Sequence, residues 1–99
     1  MERQIVWNKG ALKQLEVIYE YIKNDSSQNA EKVIEKIRIR INDLPIHPEI
    51  YPPDRFKTNN KRGNYRAFTI YNFRISYHIK GNKIIIIRIR HTGMSPLEY

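Results

Sequence analysis

YRAFTIYNFRISYHIKGNKIIIIRIRH, residues 65–91, is three runs of β-forming residues separated by turn formers at Asn72 and Gly81-Asn82. Turns this short join neighbouring antiparallel strands, so the stretch predicts a three-stranded meander. The middle run alternates, with Phe73, Ile75, Tyr77 and Ile79 on one face and Arg74, Ser76, His78 and Lys80 on the other. The same rule in the last run puts Ile85, Ile87 and Ile89 on one face and Arg88 and Arg90 opposite. Such a sheet has one apolar face that must be covered. Arg66, Arg74, Arg88 and Arg90 are candidates for the other, open face.

The cover lies upstream. Ala11, Leu12, Leu15, Ile18, Tyr19 and Ile22 recur at three- and four-residue steps behind Asn8, a suitable cap, and predict an amphipathic helix of about four turns. Ala30, Val33, Ile34, Ile37, Ile41 and Leu44 repeat the spacing as far as Pro45, with Ser26 or Ser27 as cap. The short NDSS break between the two makes them an antiparallel hairpin. RQIVW, residues 3–7, reads as a first strand. Between hairpin and meander, Pro45, Pro48, Pro52, Pro53 and the polar KTNNKRGN (57–64) predict a loop with a short strand at most. The fold class that follows is α+β: an N-terminal strand, an α-helical hairpin and an antiparallel β-meander, with the helices packed on one face of the sheet. Ninety-nine residues suffice for one such domain, residues 1–99.

Composition excludes several chemistries. With no cysteine there can be no disulfide, thiolate metal site or cysteine nucleophile. His47, His78 and His91 are far apart and lack ligand spacing, so no metal is expected. Nor is a cofactor expected, since the chain holds neither a glycine-rich phosphate loop nor a nucleophile elbow. The opening MERQIVWNKG lacks the apolar stretch of a secretion signal, and no run approaches the roughly 18 apolar residues of a membrane span; a cytoplasmic protein without membrane contact is expected.

Charge is more informative. Residues 1–50 hold eight Lys or Arg against eight Asp or Glu, whereas residues 51–99 hold ten against Asp54 and Glu98, so the whole net charge of +8 sits in the second half. That asymmetry predicts a surface for a polyanionic or acidic partner. Its contacts are expected from Arg55, Lys57, Lys61 and Arg62 in the loop and Arg88 and Arg90 on the last strand. Tyr51, Phe56, Tyr65 and Phe68 interleave with the loop cations and either stack on bases or pack the loop against the sheet.

The order of these pieces resembles the RelE/ParE superfamily of type II toxin–antitoxin toxins, which includes plasmid stabilisation system proteins. It is carried by Trp7 with Ala11 and Leu12 opening the first helix, SSQNAEKV opening the second, LPIHPEIYPP after it, YRAFTIYNFRISYHI, and IRIRHTGMSPLEY. The resemblance implies a bacterial growth inhibitor neutralised by a cognate antitoxin, whose acidic or amphipathic segment covers the helices and the basic face. It implies one of two targets: the ribosome and its mRNA, cleaved without metal, or DNA gyrase, inhibited by binding. A degenerate, non-toxic binding module is the third reading.

Metal-free RNA cleavage needs the 2′-hydroxyl deprotonated, the charge on the phosphorane neutralised and the leaving oxygen protonated. By resemblance, Arg74 and Arg66 are the candidate phosphate ligands and His91 and Tyr99 the candidate proton-transfer groups. Arg74 is otherwise a solvated strand charge. Tyr99, as a phenol of pKa about 10, needs neighbouring arginines to lower that value before it can act as a base; otherwise it is a frayed end residue. His91 has the intrinsic pKa of about 6.5 that suits a general acid, yet it shares the parity of the buried isoleucines, which suits a structural histidine at a strand end. Two positions depart from the cleaving branch: Phe68 and Gly93 stand where it carries basic residues, and HTGMSP is closer to the ParE-like ending.

Overall fold

In the computed structural model, which describes residues 3–93, 98 and 99, the elements run β1 (Gln4–Trp7), α1 (Lys9–Lys23), α2 (Ser27–Asn42), β2 (Tyr65–Ile70), β3 (Phe73–Lys80) and β4 (Lys83–His91). Both helices begin on side-chain caps. Asn8 Oδ1 accepts the Ala11 N–H at 2.8 Å and Ser26 Oγ accepts the Asn29 N–H at 3.1 Å, satisfying donors that have no partner within the helix. Ala11 and Leu15 of α1 and Ala30, Val33, Ile34, Ile37 and Ile41 of α2 are buried, as the spacing predicts. Leu12 is not: it is 45% exposed on the outer side of the hairpin.

The sheet has the order β1-β4-β3-β2, so the first strand lies beside the last. That pairing is parallel, from Gln4 opposite Lys83 to Trp7 opposite Ile86, while β2, β3 and β4 form the antiparallel meander. A parallel pair needs a long crossover, and the helical hairpin begins it. Phe68, Ile70, Phe73, Ile75, Tyr77 and Ile79 meet the buried helix residues in one core, leaving the helices on one face only.

β4 departs from simple alternation. Ile84, Ile86 and Ile89 are the buried residues, at 0, 0 and 2% exposure, whereas Ile85 and Ile87 are partly exposed. The cause is a β-bulge: Ser76 pairs with Arg88 but Tyr77 pairs with Ile86, so Ile87 has no residue opposite it. One extra residue reverses parity, and the expected face of Ile85, Ile87 and Ile89 is correct for Ile89 alone. Arg88 and Arg90 follow the bulge and lie opposite the helices as expected.

The proline-rich loop folds over the free edge of β2. On the helix side Tyr77 Oη donates to the Pro48 carbonyl at 2.6 Å and Tyr51 stacks on Phe68 with centroids 4.6 Å apart. Pro52 to Asp54 then run beside β2: Pro53 bridges Arg66, the Asp54 N–H donates to Tyr65 O at 2.7 Å and the Ala67 N–H to Pro52 O at 3.3 Å. Prolines suit an edge, where no donor is required. Past this crossing the loop lies on the face opposite the helices, which is therefore partly covered.

The bulge makes a prediction that simple alternation reverses. Ile86→Ala should cost about 3 kcal/mol in urea denaturation, the usual range for truncating a fully buried isoleucine, and Ile85→Ala less than half of that. A larger loss at Ile85 would show that β4 is paired without the bulge.

Candidate functional site

Cross-strand pairing builds the face opposite the helices. Arg74 lies between Thr69 and Arg90, and Ser76 between Ala67 and Arg88, in adjacent rows. Into this array the loop inserts Asp54, 2% exposed. Its Oδ1 accepts from Arg74 Nη2 at 2.8 Å and from the Phe56 N–H at 3.0 Å, and its Oδ2 accepts from the Tyr99 hydroxyl at 2.6 Å. Burial alone would raise the carboxyl pKa, but the bonds from Tyr99, Arg74 and Phe56 outweigh it and hold the group below its ordinary range. Asp54 is thus a buried, ionised and well-satisfied carboxylate.

Tyr99 is docked, not frayed. Its N–H donates to Phe56 O at 3.0 Å, its carbonyl accepts from Thr58 Oγ1 at 2.7 Å and Lys57 Nζ at 3.3 Å, and the Arg88 guanidinium lies 3.9 Å from its ring centroid. Burial, and then the hydrogen bond to Asp54, push the phenol pKa up despite Arg88. The expected lowering by arginines does not occur. A phenol whose proton is held by a carboxylate is no base near neutrality, which removes the condition on which its proton-transfer role rested.

Arg66 is a second correction. It pairs with Tyr77 and shares the helix-side face with Phe68 and Ile70, so it does not join Arg74. Its guanidinium donates to the carbonyls of Tyr51 at 2.6 Å and Glu49 at 3.3 Å and fastens the loop there. His91 pairs with Phe73 and meets that ring edge-on at 5.6 Å. Its Nδ1 accepts the Gly93 N–H at 2.9 Å, which places the proton of the neutral ring on Nε2. A Cβ at Gly93 would stand 3.0 Å from that nitrogen, so a basic side chain there requires His91 to move. Met94, Ser95 and Pro96 of the HTGMSP ending lie outside the described residues.

The basic loop residues divide. Lys57 Nζ lies over the rings of Tyr65 and Tyr99, at 4.6 and 5.3 Å from their centroids, and Arg55 and Arg74 both lie over Phe56, at 4.9 and 4.8 Å. Lys61 and Arg62 are exposed, beside a groove that holds Tyr65 stacked on His78 at 3.9 Å. Of the four aromatics, Phe56 and Tyr65 belong to the basic face, while Tyr51 and Phe68 pack on each other on the helix side. Arg55, Arg74, Arg88 and Arg90 converge on one cleft, with His91 at its strand-end rim. Asp54 organises this site and was not among the expected residues; its signal was that it is one of only two acids in residues 51–99.

The depressed pKa of Asp54 gives stability that is present above the ordinary carboxylate range and lost as pH falls through the folded value. Asp54→Asn should lower stability at pH 7 and flatten the acid limb of a stability–pH curve. Tyr99→Phe should cost about 1.5–3 kcal/mol, the range for a hydrogen bond to a charged acceptor, and move that limb to higher pH. Unchanged acid limbs in both variants would exclude the network as described.

No curated protein matches the chain. A solved structure described as the chromosomal ParDE TA system from P. aeruginosa superposes with a TM-score of 0.74 at 21% identity, over 91% of this chain and 96% of that one. The toxin–antitoxin complex RelBE2 from Mycobacterium tuberculosis superposes with a TM-score of 0.60 at 16% identity, over 92% and 99%. These likenesses concern the fold. The family described as ParE toxin of type II toxin-antitoxin system, parDE, matches residues 5–96 in sequence. The chain belongs to the ParE toxin family of type II toxin–antitoxin systems.

Proposed function

We propose that this toxin inhibits growth by binding a protein target, DNA gyrase in the ParE manner, and not by cutting RNA. The observation that carries the reading is the buried Asp54 carboxylate, bound at once to Arg74 and Tyr99. A carboxylate 2.8 Å from the guanidinium that would hold a scissile phosphate opposes that phosphate, and it keeps the phenol protonated. The other expected groups are dispersed: Arg66 faces the helix side, and His91 is packed against Phe73 and capped by Gly93. Metal-free cleavage needs a base, an acid and a charge clamp around one phosphate, and this arrangement favours a fixed recognition surface instead.

The partner that blocks this surface is an antitoxin with an acidic or amphipathic segment. Charge supports it, because Arg55, Arg74, Arg88 and Arg90 of the basic second half converge on the sheet face. Two similar solved structures are described as a ParDE toxin–antitoxin system and a RelBE2 toxin–antitoxin complex.

Expression without an antitoxin should arrest growth, with DNA breaks and an SOS response but intact transcripts, and the purified protein should inhibit supercoiling by gyrase. Transcripts cut on ribosomes, with cutting lost in Arg74→Gln, would return the assignment to RNA cleavage. Normal growth at full expression would leave a non-toxic binding module.

A further inference from the structure

One end of the sheet gathers cations that the Asp54 network does not use. The 59–64 loop reaches β3 there, where the Ile79 N–H donates to Asn64 O at 2.8 Å. Lys61 and Arg62 line a groove with Tyr65 and His78, and no acid lines it. Lys80 shares the face opposite the helices with His78 and pairs directly with Lys83 across the Gly81-Asn82 turn, an unfavourable arrangement for like charges. Burial, then the charges of Lys80 and Lys57, lower the proton affinity of His78, so both amines act on this ring. Lys61, Arg62, Lys80 and Lys83 are exposed, and none of them meets a carboxylate among the described residues. Loop, β3 and β4 lie side by side, so the four span about two strand spacings, roughly 10 Å. Over that length one strand of B-form DNA places about three phosphates.

The aromatic side chains beside these cations are already engaged. Tyr65 is stacked on His78 at 3.9 Å and lies under Lys57 Nζ at 4.6 Å, and Phe56 lies under Arg55 and Arg74. A single strand is held by aromatic faces on which its unstacked bases lie, whereas the backbone of a duplex asks only for cations at its phosphates. An acidic amphipathic segment needs an apolar floor, and this groove offers Asn59, Asn60 and Asn64 instead. We infer that this end of the sheet binds the phosphate backbone of duplex DNA without reading its sequence. A DNA duplex in place of an RNA duplex rests on the gyrase reading above, since DNA is what gyrase holds. The contact itself needs neither Asp54 nor Arg74, and a backbone lying over Lys80 and Lys83 offsets their repulsion.

The test is fluorescence anisotropy of a labelled DNA duplex of about 20 base pairs, titrated with the purified full chain without gyrase, from about 50 to about 200 mM NaCl. Four phosphate contacts predict a slope of about −3.6 in log affinity against log salt, a loss of roughly a hundredfold over that range. Lys61→Gln with Arg62→Gln, and Lys80→Gln with Lys83→Gln, should each make the slope shallower by about 1.8 and weaken binding about tenfold or more. Lys32→Gln with Lys36→Gln, exposed on α2, should change neither. Duplex binding with these losses supports the inference even where supercoiling by gyrase is unaffected, a result that would count against the proposed target alone. Tighter binding of the single strand or of an RNA duplex, or polyglutamate competing as well as unlabelled duplex, would overturn it. So would no binding at about 50 mM salt, or loss in Arg55→Gln of the arginine cleft with both pairs of variants unchanged. The substituted residues are exposed, so the variants report on binding and not on folding.

Discussion

One buried carboxylate fixes the working face of this toxin. Taking Asp54 out of water is unfavourable unless its charge is paired and its oxygens are filled, and the chain satisfies both conditions with Phe56, two residues on, and two distant groups, Arg74 of β3 and Tyr99. Removing any one of them exposes the rest to an uncompensated charge. The loop must therefore stay folded over the β2 edge, Arg74 must turn inward, and Tyr99 must remain docked under Arg88. The same bonds engage Arg74 and Tyr99 with Asp54 within the folded chain.

This explains what the sequence makes legible. The helices, their caps, the strands and the turn at Gly81 are written in local pattern, where period and capping act within a few residues, and they are as expected. Asp54 is bound to partners 20 and 45 positions away, and nothing in local spacing announces such pairs. The bulge is hidden for a different reason. Ile84 to Ile87 is uniformly apolar, so either parity reads equally well until the pairing with β3 decides it. Arg66 is legible by alternation: with Phe68 and Ile70 two and four residues on, it falls on the covered face.

Position along a strand is thus a poor guide to role within this fold. Arg66 ties a loop, Tyr99 fills a carboxylate and His91 closes a strand end. Gly93 belongs to the same pattern. Its N–H fixes His91 through Nδ1, and the room for that contact exists because position 93 has no Cβ. A side chain there would make His91 give by a few tenths of an ångström.

The charge asymmetry along the chain is also an asymmetry in space. The groove on the outer side of the hairpin is lined by Glu16, Glu20, Glu31 and Glu35, with Glu31 accepting from the Tyr19 hydroxyl at 2.6 Å. The sheet face, across the core, carries Arg74, Arg88 and Arg90. A charged partner approaching such a molecule is oriented before contact, and the bias weakens as salt shortens the Debye length below the roughly 22 Å of the short molecular axis. At about 0.15 M salt that length is about 8 Å, so steering acts only over the last approach and the face itself must supply the specificity. Because Asp54 ties the loop, β3 and Tyr99 together, a partner that fits this arrangement meets less of the ordering cost that an untethered loop would impose.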